Sequence, residues 1–316
     1  MRKYIKLIAP ATSANLGPGF DVLAIALQEP CDIVEVEYWD KNEFEISLNV
    51  SGNYEVPKDL NKNVLSLLLF KISEKYNLKG KLNISLIKNI PVGMGLGSSA
   101  ASCVSAVLIA KNIFNINLSL NEMIYIAGEG ESFIAGSPHY DNVTACLMGG
   151  FVITPIDNLD PVSIMPDKEL CLCIVLPKIQ LPIKKTEYAR KILPQSISLK
   201  QMSDNISKSC RIVYSFLTHN YKFLRESMKD YVVEIHRSKM IPGFEEVRNV
   251  AYEKGAIGVC ISGAGPSILA IIDKRNSNPH VILNAMINAF NKNEVYAEGL
   301  ITHVSEGAKV LEKVEK

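Results

Sequence analysis

The 316-residue sequence has no excess of charge of either sign, since 34 lysines and arginines stand against 33 aspartates and glutamates. Without a basic surplus, nothing favours nucleic acid or an anionic membrane as the main partner. No uninterrupted apolar run approaches the roughly 20 residues that a membrane-spanning helix needs. The N-terminus also lacks the apolar core and cleavage site of a signal peptide, so we expect a soluble, cytoplasmic protein.

Cysteine pairs at metal-binding or redox spacing are also absent. The seven cysteines include no Cys-x-x-Cys, and only Cys171 and Cys173 lie close together in the sequence. The spacing therefore gives no indication of a zinc site or a thioredoxin-like site. We expect reduced thiols, most of them buried, in a reducing compartment.

A glycine-rich stretch from Pro91 to Ala101 reads Pro-Val-Gly-Met-Gly-Leu-Gly-Ser-Ser-Ala-Ala, and small and apolar residues follow it up to Phe114. The pattern predicts a turn that enters a buried helix, whose free N–H groups and positive dipole end suit a phosphate. The stretch lacks the Lys-Ser/Thr ending of a Walker A loop, and its alternating glycines do not match a dinucleotide-binding motif. A tight structural turn is the alternative, but the hydroxyls of Ser98 and Ser99 favour phosphate or magnesium.

The pattern of the first half is typical of an α+β domain, because strands and helices mix without regular βαβ alternation. Hydrophobic periodicity predicts strands Tyr4–Ala9, Ile33–Trp39, Phe44–Val50, Lys81–Lys88 and Met148–Thr154, and helices Asn63–Tyr76, Ser98–Phe114 and Leu120–Glu131. The segment Pro155–Asp167, rich in proline and aspartate, is predicted to divide the chain into domains 1–160 and 161–316. The second half predicts an α/β sandwich, with helices that include Lys184–Leu193 and Tyr221–Asp230.

Several polar side chains lie in loops whose composition fits two interpretations, a ligand-binding site or an ordinary turn. Asn15 and Asp21, in the loop Pro10–Asp21, either make turn hydrogen bonds or bind a ligand. His139, Asp141 and Asn142 crowd one short loop, which is either a substrate-hydroxyl site or a polar turn.

Charged side chains and a second glycine loop leave similar alternatives. Glu129 and Glu131 lie near a predicted helix C-terminus, where the helix dipole disfavours carboxylates. Each is interpreted either as a magnesium ligand or as a solvated surface residue. Arg190 and Arg237 are surface charges or converge on a carboxylate. Gly263-Ala-Gly-Pro-Ser267 is a common turn or a second loop facing phosphates.

Three stretches taken together resemble the GHMP small-molecule kinases. Pro91–Ala100 resembles their phosphate-binding motif, and Ile261–Ile268 resembles their C-terminal glycine loop. The stretch Pro-Ala-Thr-Ser-Ala-Asn-Leu-Gly-Pro-Gly-Phe-Asp, at 10–21, resembles the N-terminal motif of the homoserine kinases in particular. The Gly-Glu-His type of stretch found there in galactokinases and mevalonate kinases is absent. The motifs lie at the start, in the first third and in the last fifth, so the resemblance covers essentially the whole chain.

The resemblance implies a two-domain α+β fold, with an N-terminal ATP-binding domain like ribosomal S5 domain 2 and a C-terminal ferredoxin-like sandwich. It implies ATP- and Mg²⁺-dependent phosphorylation of the side-chain hydroxyl of L-homoserine, a step of threonine biosynthesis, and commonly a homodimer. Another GHMP kinase, acting on shikimate or mevalonate, is one alternative, and the Asn15–Asp21 stretch argues against it. A catalytically silent metabolite sensor is another, and the intact Ser98, Glu131 and glycine loops argue against that.

The resemblance also implies roles for individual residues. The predicted ATP-binding residues are Asn63, Pro91, Val92, Gly93, Met94, Gly95, Leu96, Gly97, Ser98, Ser99, Ala100, Ala101, Gly263 and Gly265. The predicted substrate-binding residues are Asn15, Asp21, His139, Thr186, Arg190 and Arg237. Ser98 and Glu131 would hold magnesium, Glu131 being favoured over Glu129 by its spacing to His139. Asp141, Asn142 and Ser98 are the predicted catalytic residues, and we expect Asp141 to bind the substrate hydroxyl rather than accept its proton.

Overall fold

The computed structural model describes residues 2–136, 138–154, 160–180 and 185–315, apart from the side chains at positions 134, 135 and 186. In chain order its first elements are β1 (Arg2–Ala14), β2 (Leu23–Trp39), β3 (Phe44–Gly52), α1 (Val64–Tyr76), β4 (Gly80–Lys88), α2 (Ser98–Ile113), α3 (Leu120–Ala135), α4 (Asp141–Met148), β5 (Phe151–Ile153) and β6 (Val162–Ile164).

The rest of the chain contains the second sheet and returns to the first sheet at its last strand. These elements are β7 (Leu170–Pro177), α5 (Lys185–Lys191), α6 (Leu199–Thr218), α7 (Leu224–Ser227), α8 (Glu234–Arg237), α9 (Phe244–Glu253), β8 (Gly258–Ile261), β9 (Ile268–Asp273), α10 (Pro279–Lys292), β10 (Ala297–Thr302) and β11 (Lys309–Glu315). Within the described ranges, no helix has the length and apolar character needed to cross a bilayer.

The first sheet has the strand order β11-β1-β2-β4-β3, with β5 and then β6 added beside β2. Only β3 and β4 pair in parallel; the other described pairs of this sheet are antiparallel. Helix α2 packs on β1 and is flanked by α1, α3 and α4. Its buried residues include Ala100, Ala101, Cys103, Ala106 and Ala110, and such small side chains let neighbouring helices approach closely. The predicted buried helix behind the glycine-rich turn is therefore present.

The second sheet has the order β10-β7-β9-β8, and its pairs are antiparallel. Helix α9 precedes β8, and α10 connects β9 to β10, so both helices contact strands of this sheet. This is the βαββαβ arrangement of a ferredoxin-like sandwich. The predicted fold class, α+β with a C-terminal ferredoxin-like part, is confirmed.

The first strand is longer than the sequence predicted. It was expected to end at Ala9, whereas Thr12–Ala14 pair with Ala24–Ala26 of β2. The register shifts between Pro10 and Thr12, and such an irregularity accommodates a proline that has no N–H to donate. The turn that was expected over Pro10–Asp21 is therefore confined to residues 15–22.

Two strands from beyond residue 160 belong to the first sheet, which amends the predicted division of the chain at that point. Strand β6 pairs with β5, and β11 pairs with β1. Lys309–Glu315 contains four charged residues among seven, as is common in edge strands, and such a segment carries little signal of its own. The predicted helix Tyr221–Asp230 is also wrong in extent, because it is a 3-10 turn over Tyr221–Phe223 followed by the short α7.

Candidate active site

A cavity of about 470 Å³ lies where the two glycine loops meet. Eighteen of the predicted site residues line it: Asn15, Asp21, Asn63, Pro91, Val92, Gly93, Gly95, Leu96, Gly97, Ser98, Ser99, Glu131, His139, Asp141, Asn142, Arg190, Arg237 and Gly263. Four others, Met94, Ala100, Ala101 and Gly265, are not among its lining residues. Thr186 lies in α5, but its side chain is outside the described residues. Residues that are 248 positions apart in the chain thus meet at one site.

The two glycine loops are hydrogen-bonded to each other. Ser262 Oγ donates to the Gly95 carbonyl oxygen at 2.8 Å, and Ser267 N donates to the Met94 carbonyl oxygen at 3.3 Å. Gly95 has φ +80°, and a Cβ there would lie 2.2 Å from the Ser262 carbonyl oxygen. Gly97 has φ +65°, and a Cβ there would lie 1.9 Å from Thr12 Oγ1. Both positions therefore need glycine for conformation and for close approach.

Helix α2 begins at this junction without a side-chain cap. Its N-cap residue, Gly97, has no side chain to accept from the first-turn N–H groups. Those donors and the positive end of the helix dipole face the cavity that Ser98 and Ser99 line. The arrangement provides an anion site of the kind that binds phosphates.

A buried ion pair between Lys88 and Asp32 supports the start of α2, and the sequence interpretation missed it. The Lys88 ammonium contacts the Asp32 carboxylate and also donates to the Ser98 carbonyl oxygen at 2.7 Å and to Ser102 Oγ at 3.2 Å. Asp32 Oδ1 accepts from Asn89 N at 2.9 Å and from Ile90 N at 3.0 Å. Both side chains are 1% exposed. The signal available in the sequence was a lysine at the end of a predicted strand, just before the glycine-rich stretch.

Asp21, Arg190 and His139 form a charged cluster at the cavity wall. Arg190 Nη2 donates to Asp21 Oδ1 at 3.0 Å and Oδ2 at 2.7 Å, and lies 2.6 Å from His139 Nδ1. A guanidinium can only donate, so His139 Nδ1 accepts, and the neutral ring carries its proton on Nε2. That Nε2 is buried and has no partner among the described residues. Burial, with the Arg190 charge, lowers the pKa of His139 and so favours the neutral ring.

Asn15 organises the turn that carries Asp21. Its side-chain oxygen accepts from Asp21 N at 3.1 Å, and its amide nitrogen donates to the Gly263 carbonyl oxygen at 2.9 Å. Asn15, Leu16 and Asp21 all have positive φ, at 71°, 47° and 59°. Such backbone conformations persist in non-glycine residues only where surrounding contacts hold them. Asn15 therefore links the N-terminal motif to the second glycine loop.

Arg237 approaches the same cluster from α8. It is 4% exposed, and its Nη1 donates to the Gly263 carbonyl oxygen at 2.9 Å. Burial is the main cause that lowers its pKa to about 10, so the guanidinium remains charged at neutral pH. Arg190 and Arg237 are thus cavity residues, and the alternative that both are surface charges does not apply.

Asp141 and Asn142 begin helix α4, where the sequence had predicted a polar loop. Asn142 donates to Asp141 Oδ1 through its backbone N at 2.7 Å and its side-chain nitrogen at 3.1 Å. Thr12 Oγ1 donates to Asn142 Oδ1 at 2.7 Å. Burial, reinforced by the Asp21 charge, raises the pKa of Asp141 to about 6. Asp141 is therefore a buried, mostly ionised carboxylate at neutral pH.

Glu131 is hydrogen-bonded to the first turn of α2. Its Oε2 accepts from Ser99 Oγ at 3.0 Å, and Cys103 Sγ lies 3.7 Å from its Oε1. Burial raises the pKa of Glu131 to about 7. Ser99 is the hydroxyl bonded to it. Ser98, which was predicted to hold magnesium together with Glu131, donates from its Oγ to the Ile90 carbonyl oxygen at 3.3 Å.

The other carboxylate considered at the sequence level, Glu129, points elsewhere. It is partly exposed, and its Oε2 lies 3.9 Å from Lys71 Nζ. Helix α3 continues to Ala135, so both glutamates lie further from its end than predicted. Of the two, only Glu131 lines the cavity.

Asn63 lines the cavity as the N-cap of α1. Its Oδ1 accepts from Leu65 N at 3.1 Å, and its Nδ2 donates to the Pro57 carbonyl oxygen at 2.8 Å. Both polar groups are therefore engaged in local structure. Val56, Pro57 and Val64 line the cavity beside it, so this part is apolar apart from Asn63 and Lys62.

Lys185 is a second cavity residue that the sequence interpretation missed. Its ammonium nitrogen contacts the Gly265 carbonyl oxygen. Burial, with the Arg237 charge, lowers the pKa of Lys185 to about 7. Lys184 and Lys191 are lysines of the same segment, so residue type does not single out Lys185. Only its packing in the folded protein does.

Comparison with known proteins gives concordant results. The models of the GHMP kinases N terminal domain and of the GHMP kinases C terminal match residues 62–150 and 212–292. Homoserine kinase of Methanococcus vannielii is 35% identical, covering 87% of this chain and 89% of that protein. Homoserine kinase of Sulfurisphaera tokodaii is 34% identical, covering 95% and 97%. The crystal structure of homoserine kinase from Cytophaga hutchinsonii superposes with a TM-score of 0.86 at 34% identity, covering 98% of this chain and 97% of that one.

Proposed function

Because this chain belongs to the homoserine kinase family of the GHMP kinases, we propose that it transfers the γ-phosphoryl group of ATP to the side-chain hydroxyl of L-homoserine. The product is O-phospho-L-homoserine, and the reaction is a step of threonine biosynthesis. The oxygen of the substrate hydroxyl bonds to the γ-phosphorus while the bond to the β–γ bridging oxygen breaks, ADP leaves, and the hydroxyl proton is released.

The observation that carries this choice of acceptor is the pairing of Asp21 with Arg190 inside the cavity. The pair presents a carboxylate and a guanidinium side by side, with 40% and 32% of the side-chain surfaces exposed. An α-amino acid carries the complementary ammonium and carboxylate. Its binding replaces the one ion pair within the protein by two ion pairs with the ligand, Asp21 with the ammonium and Arg190 with the carboxylate. Mevalonate and shikimate carry a carboxylate but no ammonium, which would leave Asp21 without a cation.

Phosphoryl transfer needs mainly positioning and charge stabilisation from the protein. The N–H groups at the start of α2 and the Pro91–Ala101 loop would bind the triphosphate, and the apolar part near Val56 and Pro57 would take the base. Arg190 and Arg237 would hold the substrate carboxylate, and His139 Nε2–H is a further donor there. Asp141 would bind the substrate hydroxyl with Asn142, without acting as an obligatory base.

The surroundings of Glu131 suit a divalent cation. Its carboxylate is buried, and its hydrogen-bond partners in the described part of the chain are a hydroxyl and a thiol, with no ion pair. Magnesium typically takes one or two carboxylates and completes its shell with phosphate oxygens and water. Glu131, with Ser99 or Ser98, would hold Mg²⁺, which when bound neutralises charge on the triphosphate.

The deciding assay measures ADP release with ATP and Mg²⁺ against L-homoserine, shikimate, mevalonate and galactose. Two analogues sharpen it: 4-hydroxybutyrate lacks the ammonium, and 3-amino-1-propanol lacks the carboxylate. We expect turnover with L-homoserine, much lower kcat/KM with both analogues, and O-phosphohomoserine by mass spectrometry. Preferred turnover of shikimate or mevalonate would identify another GHMP kinase, and no turnover with binding of both ligands would identify a sensor.

We further propose that the enzyme is a cytoplasmic homodimer. Seven unpaired cysteines suit a reducing compartment. One face of α6 exposes large apolar side chains at helical spacing: Leu199, Met202, Ile206, Tyr214 and Leu217. A second copy of α6 would cover this face. Sedimentation velocity should give a dimer that Ile206→Glu dissociates, and a monomeric wild type would contradict the proposal.

A further inference from the structure

Phe20 touches both arginines of the charged cluster. The Arg190 guanidinium carbon lies 5.4 Å from the centroid of the Phe20 ring, and that of Arg237 lies 5.3 Å from it. Both distances fall within the range of cation–π contacts. Arg190 comes from α5 and Arg237 from α8, so the two cations have no backbone connection near the site. The ring is the one side chain that lies against both guanidinium groups among the described contacts.

Two guanidinium groups this close repel each other, and burial adds to the cost for Arg237. Asp21 offsets part of that repulsion, but among the described contacts its carboxylate accepts hydrogen bonds from Arg190 alone. Arg237 donates to backbone carbonyl oxygens, Gly263 at 2.9 Å and Ala189 at 3.5 Å. The negative face of an aromatic ring adds attraction for a cation without engaging its N–H donors, so those donors stay free for a ligand oxygen.

The backbone holds Phe20 firmly in this position. It precedes Asp21, whose positive φ and bond to Asn15 fix the end of the turn. Behind it, Gly19 packs so tightly on Leu23 that a Cβ there would lie 2.4 Å from the Leu23 side chain. The backbone that carries the ring is therefore constrained by the turn itself, independently of the two arginines.

We propose that Phe20 is a positioning residue of the carboxylate clamp, which sets where both guanidinium groups stand before substrate binds. The inference rests on the proposed function, since it concerns the substrate of that site. Phe20 touches no reacting atom and acts only through Arg190 and Arg237. It should therefore affect homoserine binding and leave ATP binding unchanged.

The test compares Phe20→Leu, which keeps an apolar side chain, with Phe20→Tyr, which keeps the ring. Phe20→Leu should raise the KM for homoserine about tenfold, with the KM for ATP and kcat changed less than about threefold. Phe20→Tyr should stay within about threefold of the wild type in all three. Phe70→Leu, an exchange of the same kind beside Phe44 and outside the cavity lining, is the matched control and should leave the homoserine KM unchanged.

Site-specific incorporation of fluorinated phenylalanines at position 20 separates ring electrostatics from packing. Successive fluorines weaken the negative ring face at nearly constant shape, so the homoserine KM should rise stepwise with fluorination. A homoserine KM that stays constant along the fluorinated series would overturn the proposal. Equal increases of the KM values for homoserine and ATP in Phe20→Leu would also overturn it. A wild type that does not phosphorylate homoserine would instead contradict the proposed function, and the two failures are distinguishable.

Discussion

Arg190 donates to both carboxylate oxygens of Asp21 through the same Nη2, at 3.0 and 2.7 Å. The two residues are 169 positions apart in the chain. In the proposed function each meets a different group of the substrate, the arginine its carboxylate and the aspartate its ammonium. Their pairing means that the two subsites are adjacent. A zwitterionic substrate must therefore separate the Asp21 and Arg190 side chains in order to bind.

The arginines should act on homoserine binding. Arg190→Ala and Arg237→Ala should raise the KM for homoserine far more than the KM for ATP, because each removes a cation from the carboxylate subsite. Arg190→Lys should recover only part of the loss, since an ammonium lacks the planar fork of a guanidinium. Steady-state kinetics measures both constants, with the exposed Arg211→Ala as control. An unchanged homoserine KM in both alanine variants would remove the clamp from the proposal.

The role of Asp141 can be decided by one isosteric change. If Asp141 only binds the substrate hydroxyl, Asp141→Asn should keep near-wild-type turnover, because an amide oxygen still accepts a hydrogen bond. A general base contributes up to about 10⁴-fold, so a loss of that size would show that Asp141 accepts the proton. Single-turnover measurements with saturating homoserine avoid confusion with substrate binding.

The contact between the glycine loops should make Gly95 intolerant of a side chain. Gly95→Ala should lower the melting temperature and raise the KM for ATP, because its Cβ would lie 2.2 Å from the Ser262 carbonyl oxygen. Gly136 has a similar φ of +76° with no atom within 4 Å of an added Cβ. Gly136→Ala therefore carries only the backbone cost, about 1 kcal/mol. Equal effects of the two variants on ATP binding would contradict the loop contact.

Lys185 should make stability depend on pH above neutrality. Its folded pKa of about 7 lies below the ordinary lysine value of 10.5. Between these values the unfolded chain binds a proton that the folded chain does not, so stability rises with pH by about 1.4 kcal/mol per unit. Lys185→Met removes this contribution, and the wild-type minus variant difference in unfolding free energy should rise from pH 7 to 10. For the control, the exposed Lys58→Met, the same difference should not change with pH. If the difference for Lys185→Met is also constant from pH 7 to 10, Lys185 stays charged in the folded protein and the prediction is wrong.

Periodicity and short motifs carried much of the secondary structure, because they depend on neighbouring residues. Helix α3 begins at Leu120, as predicted, behind a capping box made by Ser119 and Glu122. The turn at Gly93–Gly97 leads into a buried helix, as the small residues after Ser99 indicated. Strand β11 and the extension of β1 were missed, because their hydrogen bonds are made with strands far away in the chain.

By itself the sequence determined the family, the α+β class and most of the residues that line the cavity, because these follow from local motifs and their spacing. Only the tertiary structure decided which side chains meet. It paired Asp21 with Arg190, Lys88 with Asp32 and Ser99 with Glu131, and it brought Phe20 against two arginines. Such contacts join segments that are remote in sequence, and their geometry comes from how the sheets and helices pack.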